Sequence, residues 1–404
     1  MPHTFRLTWT YIFWIFCIFG NAHAHESLSI NAGLLERLKS KDALFWSPED
    51  RKIGLGVLKH LKPTRTIYPG APATLPRAIE DLSQRSYEHG GQAYTIQEHL
   101  ESQQVAGALV LKRGQIIFEH YAAGYQRDTQ WNGFSIAKSV LGLLIGIAVQ
   151  DGQIDSVEDS ITRYLPELSG SAYERVSLGD LMHMSSGVEW SEDYSDPESD
   201  VARLSEFTAE TGILGLIEHM SQLESVANPG SVYNYNTGEI YLLGAAVSRA
   251  TERPLSDFLS DTLWQSIGTQ SEAQWMLNAP DGIETAGCCI AATLEDHAKL
   301  GQFVLNGGLD KHGNQVVENH WIRYLRQPSP NNDRYGALWF RDGDNAIFAA
   351  GIFGQLIYVD FAHETVVVLH SHWEEALSSE YIDRRNAFVR AICGWDETSV
   401  KDFF

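Results

Sequence analysis

The sequence predicts an α+β sandwich: an antiparallel sheet flanked by helices, with an all-helical lobe inserted between its two halves. Three observations carry this. β-rich runs stand at both ends of the body, over residues 106–121 and 345–371. Between them lie short amphipathic segments broken by turns. From Val140 to Val149 every residue is apolar or glycine, the pattern of a helix buried on all sides in a large domain.

Taken in order, residues 1–6 form a short basic start, 7–19 an apolar run, and Asn21-Ala22-His23-Ala24 a small-residue exit. This reads as a signal peptide of residues 1–24, so a secreted or periplasmic protein is expected, with Cys17 removed along with the leader. Residues 25–90 carry Pro48, Pro63, Pro69, Pro72 and Pro76 and predict an N-terminal extension wrapped over the body. The remaining 91–404 form the main domain. Its sheet comes from about 91–134 and 285–404, and its helical lobe from about 135–284.

Within that domain, residues 106–121 are two β-rich runs about Arg113-Gly114, an antiparallel hairpin. Residues 239–251 read as an apolar helix. Strand character returns at 336–340, 354–360 and 364–370, and residues 381–392 are helical.

The formal charge is -22. Nucleic acid and anionic membrane surfaces are therefore poor partners. No Cys-x-x-Cys or His-Glu-x-x-His spacing occurs, so neither metal nor other cofactor is expected. The adjacent Cys288 and Cys289 and the distant Cys393 predict buried free thiols, with a bridge from one of the pair to Cys393 as the alternative. A monomer or homodimer is expected.

The chemistry concentrates at Ser135 and Lys138, three apart and so neighbours on one helical face. A serine hydroxyl needs a base to take its proton, and a lysine serves when burial and a helix N-terminus lower its pKa. Ser-x-x-Lys arises by chance about once in a chain of this length, and a Ser that merely caps a helix is the bland alternative. Context decides between them. After Lys138 no polar face appears until Gln150, so this lysine is not on a solvated stripe. The backbone N–H of Ser135, free at a helix start, is also placed to donate to a substrate oxygen.

Three boxes together resemble the penicillin-recognising serine hydrolases, in the branch of class C β-lactamase-related esterases and 6-aminohexanoate-dimer hydrolases. They are Phe134-Ser135-Ile-Ala-Lys138-Ser139, Met182-His-Met-Ser-Ser-Gly187-Val-Glu-Trp190, and Pro229-Gly230-Ser-Val-Tyr-Asn-Tyr235-Asn236-Thr237-Gly238. The similarity runs from about Gly107 to Trp373. It implies the β-lactamase fold and an acyl-enzyme on Ser135, with Lys138 as base and Tyr235 relaying protons; Tyr233 aligns with a packing position. It also implies substrate-facing side chains around Trp190, Glu192, Tyr194 and Asn236. The family's Lys-Thr-Gly box aligns with Ala349-Ala350-Gly351, so its lysine and threonine are absent. The backbone role survives, with the N–H of Ile352 completing an oxyanion hole and Gly351 allowing close approach. The partner for a substrate carboxylate does not survive. Cleavage of small linear esters or amides is thus expected ahead of β-lactam or D-Ala-D-Ala hydrolysis.

Two rivals stand. Gly133-Phe-Ser135-Ile-Ala137 nearly matches the nucleophile elbow of α/β-hydrolases, but no parallel-sheet series accompanies it. A secreted binding protein that keeps the fold without activity is the other. His183, His370 and His372 read as packing residues.

Overall fold

The structure, a computed structural model, describes residues 31–208 and 212–394. The expected leader over residues 1–24, with Cys17, lies outside the described residues. The first half of the chain supplies strands β1 (Thr64–Ile67), β2 (Ser86–His89), β3 (Gln92–Thr95), β4 (Val105–Lys112), β5 (Gln115–Tyr121) and β6 (Trp131–Asn132). The second half supplies β7 (Ala273–Met276), β8 (Ile290–Ala292), β9 (Phe340–Asp342), β10 (Ala346–Ala350), β11 (Leu356–Asp360) and β12 (Thr365–Ser371).

The main sheet has six strands in the order β5-β4-β12-β11-β10-β9, all antiparallel. Its first hairpin turns on Arg113 and Gly114, both with positive φ, as the Arg-Gly pair predicts. The two ends of the body meet where β4 pairs with β12, Val110 opposite Val367. One face of the sheet carries Leu109, Val366 and Val368 into a core shared with the helices Ile136–Gln150 and Leu294–Leu305. The opposite face carries Val110 and Val367 against the helices Ile96–Ser102 and Ser379–Gly394. Alternation along each strand feeds both layers, the period-two consequence of the pleat. This is the α+β sandwich.

Every residue from Ile136 to Ala148 is buried, as the unbroken apolar run requires. Gly142 and Gly146 open a groove in that helix, where Trp321 lies with its indole N–H donating 2.9 Å to the Gly142 carbonyl. The lobe holds the helices Leu178–Met182, Asp200–Thr208, Ile213–Ser221 and Thr237–Thr251. The first is capped by a Ser177–Asp180 box. Among the described residues no helix is long and apolar enough to cross a membrane.

Three features differ from the sequence expectation. The N-terminal extension is built of the helices Ala32–Lys39, Pro48–Gly54 and Leu58–Leu61, followed by β1. β1 pairs with β7, Thr64 opposite Met276, at the edge of a second sheet ordered β1-β7-β8-β6. β7 thus places a strand inside the stretch expected to be helical to residue 284. Thr64–Ile67 and Ala273–Met276 are four residues each, too short for a period to declare itself. Third, Cys288 and Cys289 are bonded to each other, against the expectation of free thiols there and against a bridge to Cys393, whereas Cys393 is free and buried as expected. Cys393 packs with Phe388 and Val389 behind the main sheet, whereas Cys289 packs with Trp131 and Phe134 beside the second.

Candidate active site

Ser135 stands where β6 reverses into the central helix. Asn132 accepts the Phe134 N–H on its Oδ1 at 3.1 Å, Gly133 N–H donates to Ile290 O at 2.8 Å, and Cys289 N–H donates to Phe134 O at 3.0 Å. These bonds hold Phe134 at φ 46°, a left-handed conformation unfavourable for a bulky residue. The turn that presents Ser135 is therefore fixed from three sides. Ser135 occupies the N-cap position, yet its side chain makes no capping bond. Its hydroxyl meets Lys138 instead.

Lys138 Nζ donates to Ser135 Oγ at 3.0 Å and to Gly287 O at 2.7 Å. The side chain is only 2% exposed. Burial pushes the ammonium down to about 8, against the opposing pull of the Glu192 carboxylate. An amine with this pKa is partly neutral near physiological pH and able to receive a proton.

Tyr235 closes the group. Its ring centroid lies 5.0 Å from Lys138 Nζ, and the Ser135 side chain is close enough to favour its ionised form. Burial, then the Glu192 charge, holds the phenol well above its ordinary pKa, so it is a proton donor at rest. Tyr335 packs edge-on at 5.9 Å and Phe340 stacks at 6.2 Å, fixing the ring. Tyr233 instead tilts against Tyr335 at 5.3 Å, a packing contact.

Gly351 follows β10 and presses against the same turn. A Cβ there would lie 2.3 Å from Gly133 O and 3.1 Å from Phe134 Cβ, so only glycine permits the approach. Gly351 N–H donates to Gln355 O at 3.0 Å, and Gln355 Nε2 donates to Ser371 O at 2.9 Å, tying the end of β10 to β12. Ile352, the next residue, is buried beside Phe134 in the same cluster.

Glu192 is the most heavily bonded side chain here. It accepts from Trp190 Nε1 at 2.5 Å, Tyr194 OH at 2.7 Å, Thr237 N at 3.0 Å and the Thr237 hydroxyl. Trp190 is buried, its ring lying over Gly238, where a Cβ would come within 2.7 Å of it. Tyr194 is half-buried and borders the site. Asn236 is buried; its Oδ1 caps the helix Thr237–Thr251 by accepting Glu239 N–H at 3.0 Å, while its Nδ2 has no partner among the described residues. Helix capping claims the oxygen because an unsatisfied N–H at a buried helix start is costly. His183 bonds Ser329 and packs on Tyr324, and His370 is buried between Tyr125 and His297. The Gly287 carbonyl has no side chain to announce it, and four-fold coordination of Glu192 joins segments 45 residues apart, so neither was legible as spacing.

The Beta-lactamase family model matches residues 93–391 of the chain. The chain belongs to the Beta-lactamase family. It is a hydrolase of that family, related to a 6-aminohexanoate-dimer hydrolase of Paenarthrobacter ureafaciens at 25% identity over 305 residues, 69% of this chain and 76% of that protein. A solved Bacillus anthracis structure, provisionally named a 6-aminohexanoate-dimer hydrolase, superposes with a TM-score of 0.79 at 22% identity, covering 88% of this chain and 96% of that one. A family VIII carboxylesterase shares the fold at a TM-score of 0.55 and 14% identity, over 73% and 94% of the two chains. The antiparallel main sheet and this family membership remove the α/β-hydrolase alternative.

Proposed function

We propose that this member of the Beta-lactamase family is a serine esterase or amidase acting on small linear substrates through an acyl-enzyme on Ser135. The observation that carries the reading is the Lys138 amine 3.0 Å from the Ser135 hydroxyl, buried and lowered to about 8, with the Tyr235 ring 5.0 Å from the same amine. Neutral Lys138 takes the hydroxyl proton as Ser135 Oγ attacks the substrate carbonyl carbon. The N–H groups of Ser135 and Ile352 receive the oxyanion; the pressing of Gly351 on the Gly133–Phe134 turn supports this pairing. As the carbon–heteroatom bond breaks, Tyr235 passes its proton to the leaving alcohol or amine and regains one from the Lys138 ammonium. Water then attacks the acyl carbon by the same route in reverse, releasing the acid and restoring Ser135.

Trp190, Tyr194 and Glu192 form the wall on the lobe side, with Tyr194 as the contact for substrate. Ala349 and Ala350 offer no cation to a substrate carboxylate, which favours linear esters and amides over β-lactams and peptide C-termini. The test is intact-mass spectrometry after a fluorophosphonate probe, with turnover of p-nitrophenyl butyrate and nitrocefin alongside. One adduct on Ser135 is expected, absent in Ser135→Ala and at least about 10²-fold slower to form in Lys138→Ala, with ester turnover exceeding nitrocefin turnover. Labelling elsewhere, or full-rate labelling of Lys138→Ala, overturns the reading.

A further inference from the structure

The Cys288–Cys289 bond lies in the loop that grips the candidate machinery from behind. Gly287, immediately before it, offers the carbonyl that receives Lys138 Nζ at 2.7 Å. Cys289 donates its N–H to Phe134 O at 3.0 Å, directly behind Ser135. The same loop is anchored on its far side, where Cys288 O accepts from Trp275 Nε1 at 3.2 Å and Cys289 O accepts from Met276 N at 3.0 Å. Cys289 sits at φ 72°, a left-handed conformation that a side-chain-bearing residue leaves when free to do so. Joining adjacent sulfurs closes a small covalent ring around the peptide between them, which restricts that escape. Cys288 is half-buried while Cys289 is buried, so Cys288 is the member of the pair nearer to solvent.

We propose that Cys288–Cys289 is a reversible redox modification site whose state sets the placement of Lys138 and Ser135. The reactant is a small dithiol. Its thiolate attacks Cys288 Sγ, the sulfur–sulfur bond breaks, and Cys289 leaves as a thiolate that takes up a proton. The second thiol of the reactant resolves the mixed disulfide, so two protein thiols and one cyclic external disulfide result. With the ring open, Cys289 relaxes from its left-handed conformation. The Phe134 and Lys138 contacts then loosen together, because both depend on residues 287–289. The bonded state is the active state, the one an oxidising compartment maintains.

This inference rests on the Ser135–Lys138 reading of the site, and the experiment separates the two. The whole chain purified without reductant is alkylated with iodoacetamide, before and after dithiothreitol, and mapped by mass. Fluorophosphonate labelling and p-nitrophenyl butyrate turnover are followed on the same samples, and a melting curve verifies that the reduced protein is folded. The expected result is no alkylation of Cys288 or Cys289 before reduction and both after. Turnover falls at least about ten-fold in step, since a misplacement of about 1 Å at a reacting group costs up to about 10²-fold, and returns on reoxidation with oxidised glutathione. Cys288→Ser and Cys289→Ser start at the low rate and ignore dithiothreitol; Cys393→Ala responds like the parent. Alkylation of both thiols in the untreated protein overturns the proposal, and so does opening of the bond with Ser135 labelling and turnover unchanged. Absence of Ser135 labelling in both states overturns the acyl-enzyme reading instead, and this inference with it.

Discussion

Lys138 is held between two opposing influences, burial that lowers its pKa and the Glu192 carboxylate that raises it. Removing the negative charge leaves burial unopposed. In Glu192→Gln the acid limb of kcat/KM, set near pH 8 by deprotonation of Lys138, is therefore expected to move to lower pH by about half a unit or more. A pH profile with p-nitrophenyl butyrate reads this, and a limb that stays or moves up contradicts the assignment of Lys138 as base. Ser135 and Lys138 were legible in the sequence because helical periodicity alone brings residues three apart together. Gly287 was not, and Glu192 was named only beside Trp190 and Tyr194, because their contacts with Lys138 and Thr237 cross between segments that only the fold brings together. Asn236 shows a residue whose second task the sequence did not announce: its oxygen caps a helix while its amide nitrogen has no partner among the described residues.

At the scale of elements, the end of β10 and the turn before the central helix act as one unit, since Gly351 touches Gly133 without room for a methyl group. Gly351→Ala is expected to force these backbones apart and to cut kcat/KM by about 10²-fold. The chain should remain folded, because the main sheet is anchored by β4, β11 and β12. Circular dichroism together with steady-state kinetics checks both halves of that statement. The central helix and the β4–β5 hairpin were visible in advance because each carries an unbroken local pattern. The second sheet was hidden because β1, β6, β7 and β8 are two to four residues each and find their partners across the whole chain. The thiols failed for a related reason: sequence order does not say which face of a sheet a cysteine occupies.

At the scale of the molecule, the N-terminal extension is part of the framework of the site. Arg51 is 3% exposed, donates to the carbonyls of Trp373, Glu374 and Trp46, and stacks its guanidinium 3.8 Å over Phe353, the neighbour of Ile352. Arg51→Ala strands three carbonyls and is expected to cost about 3 kcal/mol, read by chemical denaturation. A second global effect comes from Glu239, buried in the lobe with its carboxyl pushed up to about 8 by desolvation. Its folded pKa lies above its unfolded one, so its contribution is complete below the ordinary carboxylate range and is lost as pH rises through about 8. The chain should lose about 3 to 4 kcal/mol between pH 5 and 8 from this group, and Glu239→Gln should flatten that slope. Lys138 acts in a separate window above pH 8, where its lowered pKa makes stability rise with pH.

The pairing of β4 with β12 also dictates when the protein comes into being. Residues 105–112 wait for residues 365–371 before the centre of the sheet exists, so a ribosome must synthesise everything between them before this pairing forms. The emerging chain therefore carries the apolar edge of its first hairpin uncovered over that interval, a period of exposure to aggregation. Hydrolytic activity accordingly requires synthesis through β12: fragments that stop short of it are expected to be substrates for proteases rather than partial enzymes.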